Sequence, residues 1–439
     1  MPRTLLTAFA LAAGALLAAP AAVGANLGEV YNLARSNDAK LAAAREAYRA
    51  SRERLPQGRA GLLPNLSLSA SYFDSRSDAS PGVVTNTEPY GYRLLLVQPL
   101  YRKQNLETFE QAKIQVLLGE QQLRLAEQDV LLRTASAYFD VLQAEDNLAT
   151  AQAQKAAFAE QLAQARKSFE VGAATITDTH EAQARFDLTT AQEIAALNDL
   201  EIKRRALEKI IGSEAPRLAR LAEGAAMPLP EPSNMESWVK QAEEDSLGVA
   251  TFRSSFELAR REVARQRGGY LPTVDLQASY ADNRNTSTNL AGTDIDTRSS
   301  QIGVVLGWNL FEGGATDSRV REAVANQERA RYDLDDARRQ SRLDARQGFL
   351  GVMSGDAQTR ALGQALVSSE AQLKSTKLGL EVGVRTRVDL LNAQQQYFST
   401  QRDLAAARYG TLLAGLRLKA AAGILGENDL KSLDALLRE

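Results

Sequence analysis

Residues 63–72 read Leu-Pro-Asn-Leu-Ser-Leu-Ser-Ala-Ser-Tyr, and residues 271–280 read Leu-Pro-Thr-Val-Asp-Leu-Gln-Ala-Ser-Tyr. After the Leu-Pro pair, apolar and polar side chains alternate in both stretches. A period of two collects the apolar side chains on one face of a β-strand, whereas a helix would scatter them. Each stretch is therefore predicted to be a strand with one apolar face, and their likeness indicates an internal duplication.

Each of these strands has a predicted companion further along the chain, so two hairpins are expected at about 65–98 and about 273–310. The segments between companions, Ser75 to Pro89 and Asn283 to Arg298, are polar and are predicted to be mobile loops outside a membrane. The apolar phase of the four strands is expected to face lipid. It comprises Leu66, Leu68, Tyr72, Tyr92, Leu94, Leu96, Val274, Leu276, Tyr280, Ile302, Val304, Leu306 and Trp308.

Three of these residues, Tyr72, Tyr280 and Trp308, are aromatic and lie near predicted strand ends. Aromatic side chains concentrate at the two interfaces of a membrane, so this placement favours contact with lipid. The alternative is that the same side chains pack into the core of a soluble protein.

Two long stretches, residues 100–215 and 273–439, contain no proline. Because an interior proline costs a helix about 3 kcal/mol, these stretches permit unusually long helices. Large apolar residues recur every seven positions from Leu118 to Phe139, which is the spacing of a coiled coil. Helices are therefore predicted from about Asn105 to Ser168 and from about Thr316 to Leu380, each on the order of 100 Å long.

Each long helix is predicted to end at a Val-Gly turn, Val171-Gly172 or Val382-Gly383, because Gly takes the left-handed conformation that closes a helix. A returning helix is expected after each turn. The chain is accordingly divided into a signal peptide (1–25), a first repeat (26–212), a Pro-rich linker (213–235), a second repeat (236–425) and a C-terminal tail (426–439).

The first 25 residues have the charged start, apolar centre and small-residue exit of a secretory signal peptide, with cleavage expected before Asn26. The alternative is an uncleaved membrane anchor. The chain has no cysteine, which excludes disulfides, thiolate metal sites and N-terminal lipidation. Without a lipid anchor, the chain could be attached to a membrane only through its folded structure.

The charges are balanced, with 52 Lys and Arg against 54 Asp and Glu. The chain therefore has no excess of positive charge that would attract nucleic acid. The single histidine, His180, lies beside carboxylates, as is typical of a solvated surface residue rather than a metal ligand. No Ser-His-Asp set, phosphate-binding loop or acid pair stands out. The sequence therefore predicts no enzyme, no cofactor and no metal site.

Four amphipathic strands cannot close a barrel, and an open edge in lipid leaves backbone groups unpaired at a cost of several kcal/mol each. The chain is therefore expected to oligomerise. A dimer would supply eight strands around a filled interior, whereas a trimer would supply twelve and leave a lumen. The small and polar residues of the opposite strand face, such as Ser67, Ser69, Gly91 and Gly303, favour the trimer.

The signal peptide, the duplicated hairpins, the long helices and the turn motifs resemble the TolC family of outer-membrane efflux channels over essentially the whole mature chain. The motifs that carry the resemblance are Val171-Gly172 with Ile176-Thr177-Asp178, and Val382-Gly383 with Arg385-Thr386-Arg387-Val388-Asp389. The resemblance implies a mainly α protomer with a small transmembrane β part. Three copies would form a twelve-stranded barrel in the outer membrane of a Gram-negative bacterium, continued by a twelve-helix barrel in the periplasm.

The resemblance also implies the partners of the channel. A periplasmic adaptor would dock at the tip formed by the two Val-Gly turns, and an inner-membrane transporter of the ABC, RND or MFS type would supply the energy. The cargo is not encoded in a recognisable way, because drug efflux and type I protein secretion both fit a passive duct.

In the family, acidic residues and polar links close the aperture at the periplasmic tip. Matched residue by residue, Asp389 falls in the acidic ring and Arg385 at the gate arginine. The partners of that arginine on the other hairpin match Gln161, Thr177 and Asp178.

Two positions depart from the family pattern. Asn392 stands where a second aspartate is found, and Leu380 stands where a gate tyrosine is found. We therefore expect one acidic ring instead of two, weaker block by divalent cations, and a latch that depends more on the pair formed by Arg385 and Asp178.

Two alternatives remain at this point. Asp178 and Asp389 could simply cap the returning helices, since Asp178 with Glu181 has the spacing of a capping box. The alternative to a channel is a periplasmic coiled-coil adaptor or scaffold, which would share the signal peptide and the long helices but would lack the apolar hairpins.

Overall fold

A computed structural model describes residues 24–79, 83–222, 224–287 and 295–438. The predicted signal peptide, apart from its last two residues, lies outside this range. The helices are α1 (Leu27–Asn37), α2 (Ala39–Arg52), α3 (Arg54–Ala60), α4 (Lys103–Glu170), α5 (Ile176–Ile211), α6 (Met235–Asp245), α7 (Leu247–Arg267), α8 (Ala315–Glu381), α9 (Arg387–Ala421) and α10 (Glu427–Asp434). The strands are β1 (Asn65–Tyr72), β2 (Ser75–Ala79), β3 (Val83–Tyr101), β4 (Arg220–Leu221), β5 (Thr273–Ser287), β6 (Ile295–Gly307) and β7 (Leu437–Arg438).

Two helices dominate the chain. α4 has 68 residues and α8 has 67, so each is about 100 Å long at 1.5 Å per residue. α5 returns along the C-terminal half of α4, and α9 returns along α8. The N-terminal half of α4 is covered instead by α2 and α3, and α7 packs against both α4 and α8. None of the helices in the described ranges is long and apolar enough to cross a membrane.

The strands of the two hairpins form one antiparallel sheet in the order β1–β3–β5–β6. β2 continues along the same side of β3 as β1, so the chain supplies four strand positions. β1 and β6 are the two outer edges of this sheet, and neither edge is paired with another strand of the described ranges.

The register of the sheet keeps the predicted lipid-facing residues of all four strand positions on one face, because directly opposed residues of an antiparallel pair point the same way. Leu66 is opposite Leu96, Leu96 is opposite Ala278, and Ala278 is opposite Ile302. This face is bare in the single chain, since Leu66 is 62% exposed and Ile302 is 77% exposed. A large apolar face left uncovered indicates contact with another surface or with lipid.

The strands extend into the segments predicted as loops, so the prediction of loops at Ser75 to Pro89 and Asn283 to Arg298 is wrong for the described residues of both segments, while residues 80–82 and 288–294 lie outside the described ranges. β2 and the first residues of β3 occupy most of the first segment, while β5 runs to Ser287 and β6 begins at Ile295. The reason is that polar, Thr-rich and Ser-rich segments still form ladder hydrogen bonds and cross-strand pairs once a neighbouring strand is in register. At its other end β6 stops at Gly307, so Trp308 lies just outside the strand.

The main hydrophobic core lies midway along α4, where the two halves of the chain meet. Tyr138 and Phe139 of α4 are almost fully buried there, and the ring of Phe139 stacks on Tyr409 of α9 with 5.8 Å between centroids. The Tyr138 hydroxyl lies 2.8 Å from the carbonyl oxygen of Ala219. This core joins both long hairpins, and we call it the hub.

The segments before, between and after the long hairpins all contribute to the hub. Residues 213–235 supply Leu218 and Met227 to the core, and β4 in this segment pairs with β7 at the C-terminus. α10 lies against α1, where the Asp434 carboxylate accepts a hydrogen bond from the backbone N–H of Leu27 at 2.8 Å. Both termini of the described chain are therefore part of the folded core.

Candidate functional site at the helix turns

The first long hairpin turns through residues 171–175. α4 ends at Glu170, and Gly172 follows with φ of 73°, in the left-handed region that favours glycine. The backbone N–H of Ala173 donates to the carbonyl oxygen of Ser168 at 2.8 Å, which satisfies a carbonyl in the last turn of the helix. Val171 is 78% exposed at this turn.

The second long hairpin turns in the same way through residues 382–386. Gly383 has φ of 80°, and the backbone N–H of Val384 donates to the carbonyl oxygen of Gly379 at 2.9 Å. Val382 and Val384 are largely exposed. The two turns thus present exposed valines at the far ends of the longest helices, where the resemblance to the TolC family implies a docking tip.

The returning helices begin with matching capping boxes. Thr175 caps α5 and Thr386 caps α9, each with an aspartate three residues later, Asp178 or Asp389, that accepts from the backbone N–H of the threonine. The predicted pairing of Asp178 with Glu181 is wrong, because the helix starts three residues earlier and Asp178 is the reciprocal partner rather than the cap. Both aspartates therefore do have a capping role.

The cap keeps the carboxylate of Asp389 charged. Its Oδ2 accepts from the backbone N–H of Thr386 at 2.9 Å and from the Thr386 hydroxyl at 2.8 Å. These hydrogen bonds, with a smaller contribution from the nearby positive charge of Arg385, hold the pKa of Asp389 below its usual range. An aspartate in this position is a fixed negative charge near the end of the hairpin.

Arg385 lies in the turn itself and folds back over the last turn of α8. A Cβ added to Gly379 would come within 2.7 Å of the Arg385 Cγ, so the absence of a side chain at residue 379 makes room for the arginine. The Arg385 side chain is exposed. No ion pair joins Arg385 to Asp178 among the described residues of the single chain, and the pair formed by Arg385 and Asp178 stays a prediction.

The remaining predicted gate residues lie along the same hairpin ends. Thr177 is exposed in the first turn of α5, and Leu380 is half-buried in the last turn of α8. Gln161 is 4% exposed, and its Oε1 has no hydrogen-bond partner in the single chain. A buried amide oxygen without a donor is unusual.

Sequence analysis missed a direct link between the two hairpins. The Nη2 of Arg185 on α5 donates to the Oδ1 of Asn392 on α9 at 3.1 Å. A second link joins Gln154 on α4 to Gln395 on α9 at 2.7 Å. Asn392, which departs from the family pattern, is therefore held by an arginine of the other hairpin, a partner that only the tertiary structure identifies.

A second missed feature connects the sheet to the helices. Arg102, which directly follows β3, binds Asp275 of β5 through two hydrogen bonds of 2.8 and 2.5 Å. Asp275 is 6% exposed, and this two-pronged pairing compensates its charge. The junction between the strands and α4 is thereby fixed.

A family model described as outer membrane efflux protein matches residues 30–213 and 238–424 of the chain. The chain is 33% identical to outer membrane protein TolC of Vibrio cholerae over 94% of both proteins. It is also 33% identical to alkaline protease secretion protein AprF of Pseudomonas aeruginosa, over 92% of this chain and 86% of that protein. These relatives are named as outer-membrane and secretion proteins, not as enzymes.

Solved structures have the same fold. The outer-membrane protein VceC of Vibrio cholerae superposes with a TM-score of 0.77 at 17% identity, over 90% of this chain and 96% of that one. The outer-membrane channel CmeC of Campylobacter jejuni superposes with a TM-score of 0.78 at 17% identity, over 94% of this chain and 89% of that one. The chain therefore belongs to the outer membrane efflux protein family, among the TolC-type channels of the Gram-negative outer membrane that serve efflux and secretion.

Proposed function

We propose that three copies of this chain form the passive exit duct of a tripartite export system. Their strands would make a twelve-stranded barrel in the outer membrane, and their long helices would make a twelve-helix barrel in the periplasm. The duct would close at the turns between α4 and α5 and between α8 and α9. Each chain would contribute two structural repeats. Each repeat would supply one strand hairpin to the barrel in the membrane and one long helical hairpin to the barrel in the periplasm.

One observation carries this proposal: in the half of the sheet next to the helices, one apolar face runs across all four strand positions, and the two edges of the described sheet, β1 and β6, are unpaired. An open edge in lipid is costly because lipid cannot bond its N–H and C=O groups. Pairing β6 of one copy with β1 of the next removes every edge once the ring closes. Four strand positions from each of three copies give twelve, which leaves an open lumen.

The helices support the same assembly. α5 and α8 lie on opposite sides of the pair formed by α4 and α9, and both keep exposed apolar residues in the single chain. Examples are Ile194 and Ile202 on α5 and Leu350 and Val367 on α8, which are between 55% and 63% exposed. Contact of α5 with α8 of the next copy would bury both sets.

The relatives' names associate them with secretion and efflux, which supports two partners for this chain. A periplasmic adaptor would bind the exposed valines of the turns, and an inner-membrane transporter of the ABC, RND or MFS type would drive transport. The alternative of an adaptor or scaffold is set aside, because the chain matches outer-membrane proteins over nearly its whole length.

The gate of the proposed duct would consist of the residues at the hairpin ends. Asp389 supplies the acidic ring, while Arg385 binds acceptors such as Thr177 and Asp178 of the neighbouring copy. Gln161 and Leu380 pack beside these links. The Arg185–Asn392 hydrogen bond would hold the two hairpins of one copy together at the same level.

Arg385→Ala is expected to open the proposed gate. A hydrogen bond to a charged group contributes about 1.5–3 kcal/mol, so loss of one such link per copy shifts the gate toward the open state by roughly tenfold or more. The measurement is single-channel conductance of the purified protein in planar bilayers.

Arg385→Lys keeps the positive charge and serves as the matched control, with a smaller rise in conductance expected. If Arg385→Ala conducts like the unmodified protein, the gate assignment is wrong, although the channel itself would stand.

Asp389 is expected to make the closed end of the duct cation-preferring. Because its pKa is lowered in the folded turn, the carboxylate stays charged as pH falls through the ordinary aspartate range near 4 and is neutralised only below it. The contribution of this cap to the free energy of unfolding follows the same charge. It is fully present above the pKa that Asp389 has in the unfolded chain, and it is lost as the pH falls through the lower pKa of the folded turn. The wild-type preference should therefore persist to about pH 4.

The reversal potential across a salt gradient measures this preference. Asp389→Asn should show a weaker cation preference at every pH at which the wild-type carboxylate is charged, from about pH 4 upward. A wild-type preference that disappears already near pH 6, or one that Asp389→Asn retains in full, would contradict the assignment.

A further inference from the structure

The strand face opposite the apolar one is almost free of charge. In the inward phase, the described strand residues are mostly Ser, Thr, Asn, Gln, Gly and small apolar residues. Only two of them are charged, Arg93 on β3 and Asp275 on β5. Any fixed charge that remains uncompensated there dominates the field on this face.

The negative charge of Asp275 is compensated by Arg102. Both of its carboxylate oxygens accept hydrogen bonds from Arg102, and its side chain is 9% exposed. Its position, third from the start of β5, also places it next to the helices rather than midway along the strands.

Arg93 has no such partner. It lies midway along β3, opposite Ser69 of β1 on one side and Ala281 of β5 on the other. Its side chain is exposed, and the ion pairs of the described residues include none with Arg93. A guanidinium is ionised at any physiological pH, so this is a permanent positive charge on the polar face.

We infer that Arg93 forms a ring of three guanidinium groups inside the barrel, and that this ring attracts anionic solutes that carry carboxylate or phosphate groups. The inference rests on the trimeric barrel proposed above. In that assembly the three copies of Arg93 lie at one height, facing a water-filled lumen with low-dielectric walls. Such walls focus the field of like charges and raise the local concentration of counter-ions by about 10–10³-fold.

The ring would give the duct two charge filters of opposite sign. Asp389 lies at the periplasmic end and Arg93 lies in the barrel, so a negative aperture would be followed by a positive passage. Guanidinium groups bind carboxylates and phosphates through paired hydrogen bonds, so the second filter would favour anions rather than repel cargo in general.

The absence of native cysteine allows a direct test in intact cells. Ser69→Cys puts a thiol directly opposite Arg93, where Cβ atoms lie about 5 Å apart. The experiment compares the rates at which this thiol reacts with a negatively and a positively charged methanethiosulfonate, both membrane-impermeant. The same ratio is then measured with Arg93→Gln and with Arg93→Lys added.

We expect Arg93→Gln to lower the ratio of anionic to cationic rates by about tenfold, and Arg93→Lys to preserve most of it. An unchanged ratio in Arg93→Gln would overturn the inference. Leu94→Cys, on the apolar face next to Arg93, serves to test the proposed function separately and should not react. If Leu94→Cys reacts as fast as Ser69→Cys, the assignment of the two sheet faces is wrong, and so is the proposed barrel. The yield of trimer for each variant shows whether that variant has assembled.

Discussion

Leu94→Arg is expected to abolish stable insertion of the protein into the outer membrane. Leu94 lies on the apolar face, opposite Leu68 on β1 and Tyr280 on β5. An arginine facing lipid near the bilayer centre costs a β-barrel about 2–4 kcal/mol, so three copies would lose about 6–12 kcal/mol per trimer. The measurement is the amount of folded oligomer recovered from isolated outer membranes.

Leu95→Arg is the matched control, because residue 95 is the next position of the same strand and points to the opposite face. We expect this variant to assemble, since its guanidinium reaches water in the lumen. Equal losses for the two variants, or equal tolerance of both, would mean that the two faces of the sheet do not differ in environment.

Phe139→Ala is expected to destabilise the hub by about 3–5 kcal/mol, the usual cost of truncating a buried phenylalanine. Phe139 is 1% exposed and contacts Tyr138 edge-on and Tyr409 by stacking. The loss would loosen the contact between α4 and α9, which holds the two hairpins of a copy together. The measurement is the midpoint of thermal unfolding of the detergent-purified protein.

Phe169→Ala makes the same truncation on the same helix, at a site that is 44% exposed near the turn. It should change the unfolding midpoint little, because no closed cavity results. A similar fall in both variants would show that the hub does not limit stability.

The strands and long helices could be predicted because their signals are local. The alternation from Asn65 to Tyr72 and the proline-free stretch that contains α4 depend only on neighbouring residues and on backbone geometry. The structure places β1 at those residues and extends α4 by two residues at each end of the prediction. Membership of the TolC-type channels, indicated by the turn motifs, is confirmed by the family model and the relatives.

The errors arose where local signals compete. Polar residues around Ser75 indicated a loop, yet β2 forms because β3 provides a neighbouring strand in register. The cap of α5 was placed at Asp178 although Thr175 begins the same Thr-x-x-Asp pattern as Thr386. The two turn sequences match in register, so the shared Thr-x-x-Asp pattern itself indicates Thr175 as the cap.

Other features of the site could not be predicted from one sequence. The link from Arg185 to Asn392 joins residues 207 positions apart, and the ion pair of Arg102 with Asp275 joins residues 173 positions apart. Neither pair has a local pattern, since each depends on how separate helices and strands pack. The alternation around Tyr92 and Leu94 already places Arg93 on the opposite face, but its neighbours there, Ser69 and Ala281, were identified only by the register of the strands.

The central claim is that one chain supplies a third of a single duct, and the mass of the intact assembly tests it most directly. Native mass spectrometry of the protein extracted from outer membranes in mild detergent should give one main species that contains three copies of the mature chain. A main species of one, two or four copies would contradict the account, because four strand positions per copy would then close a barrel of another size or none at all.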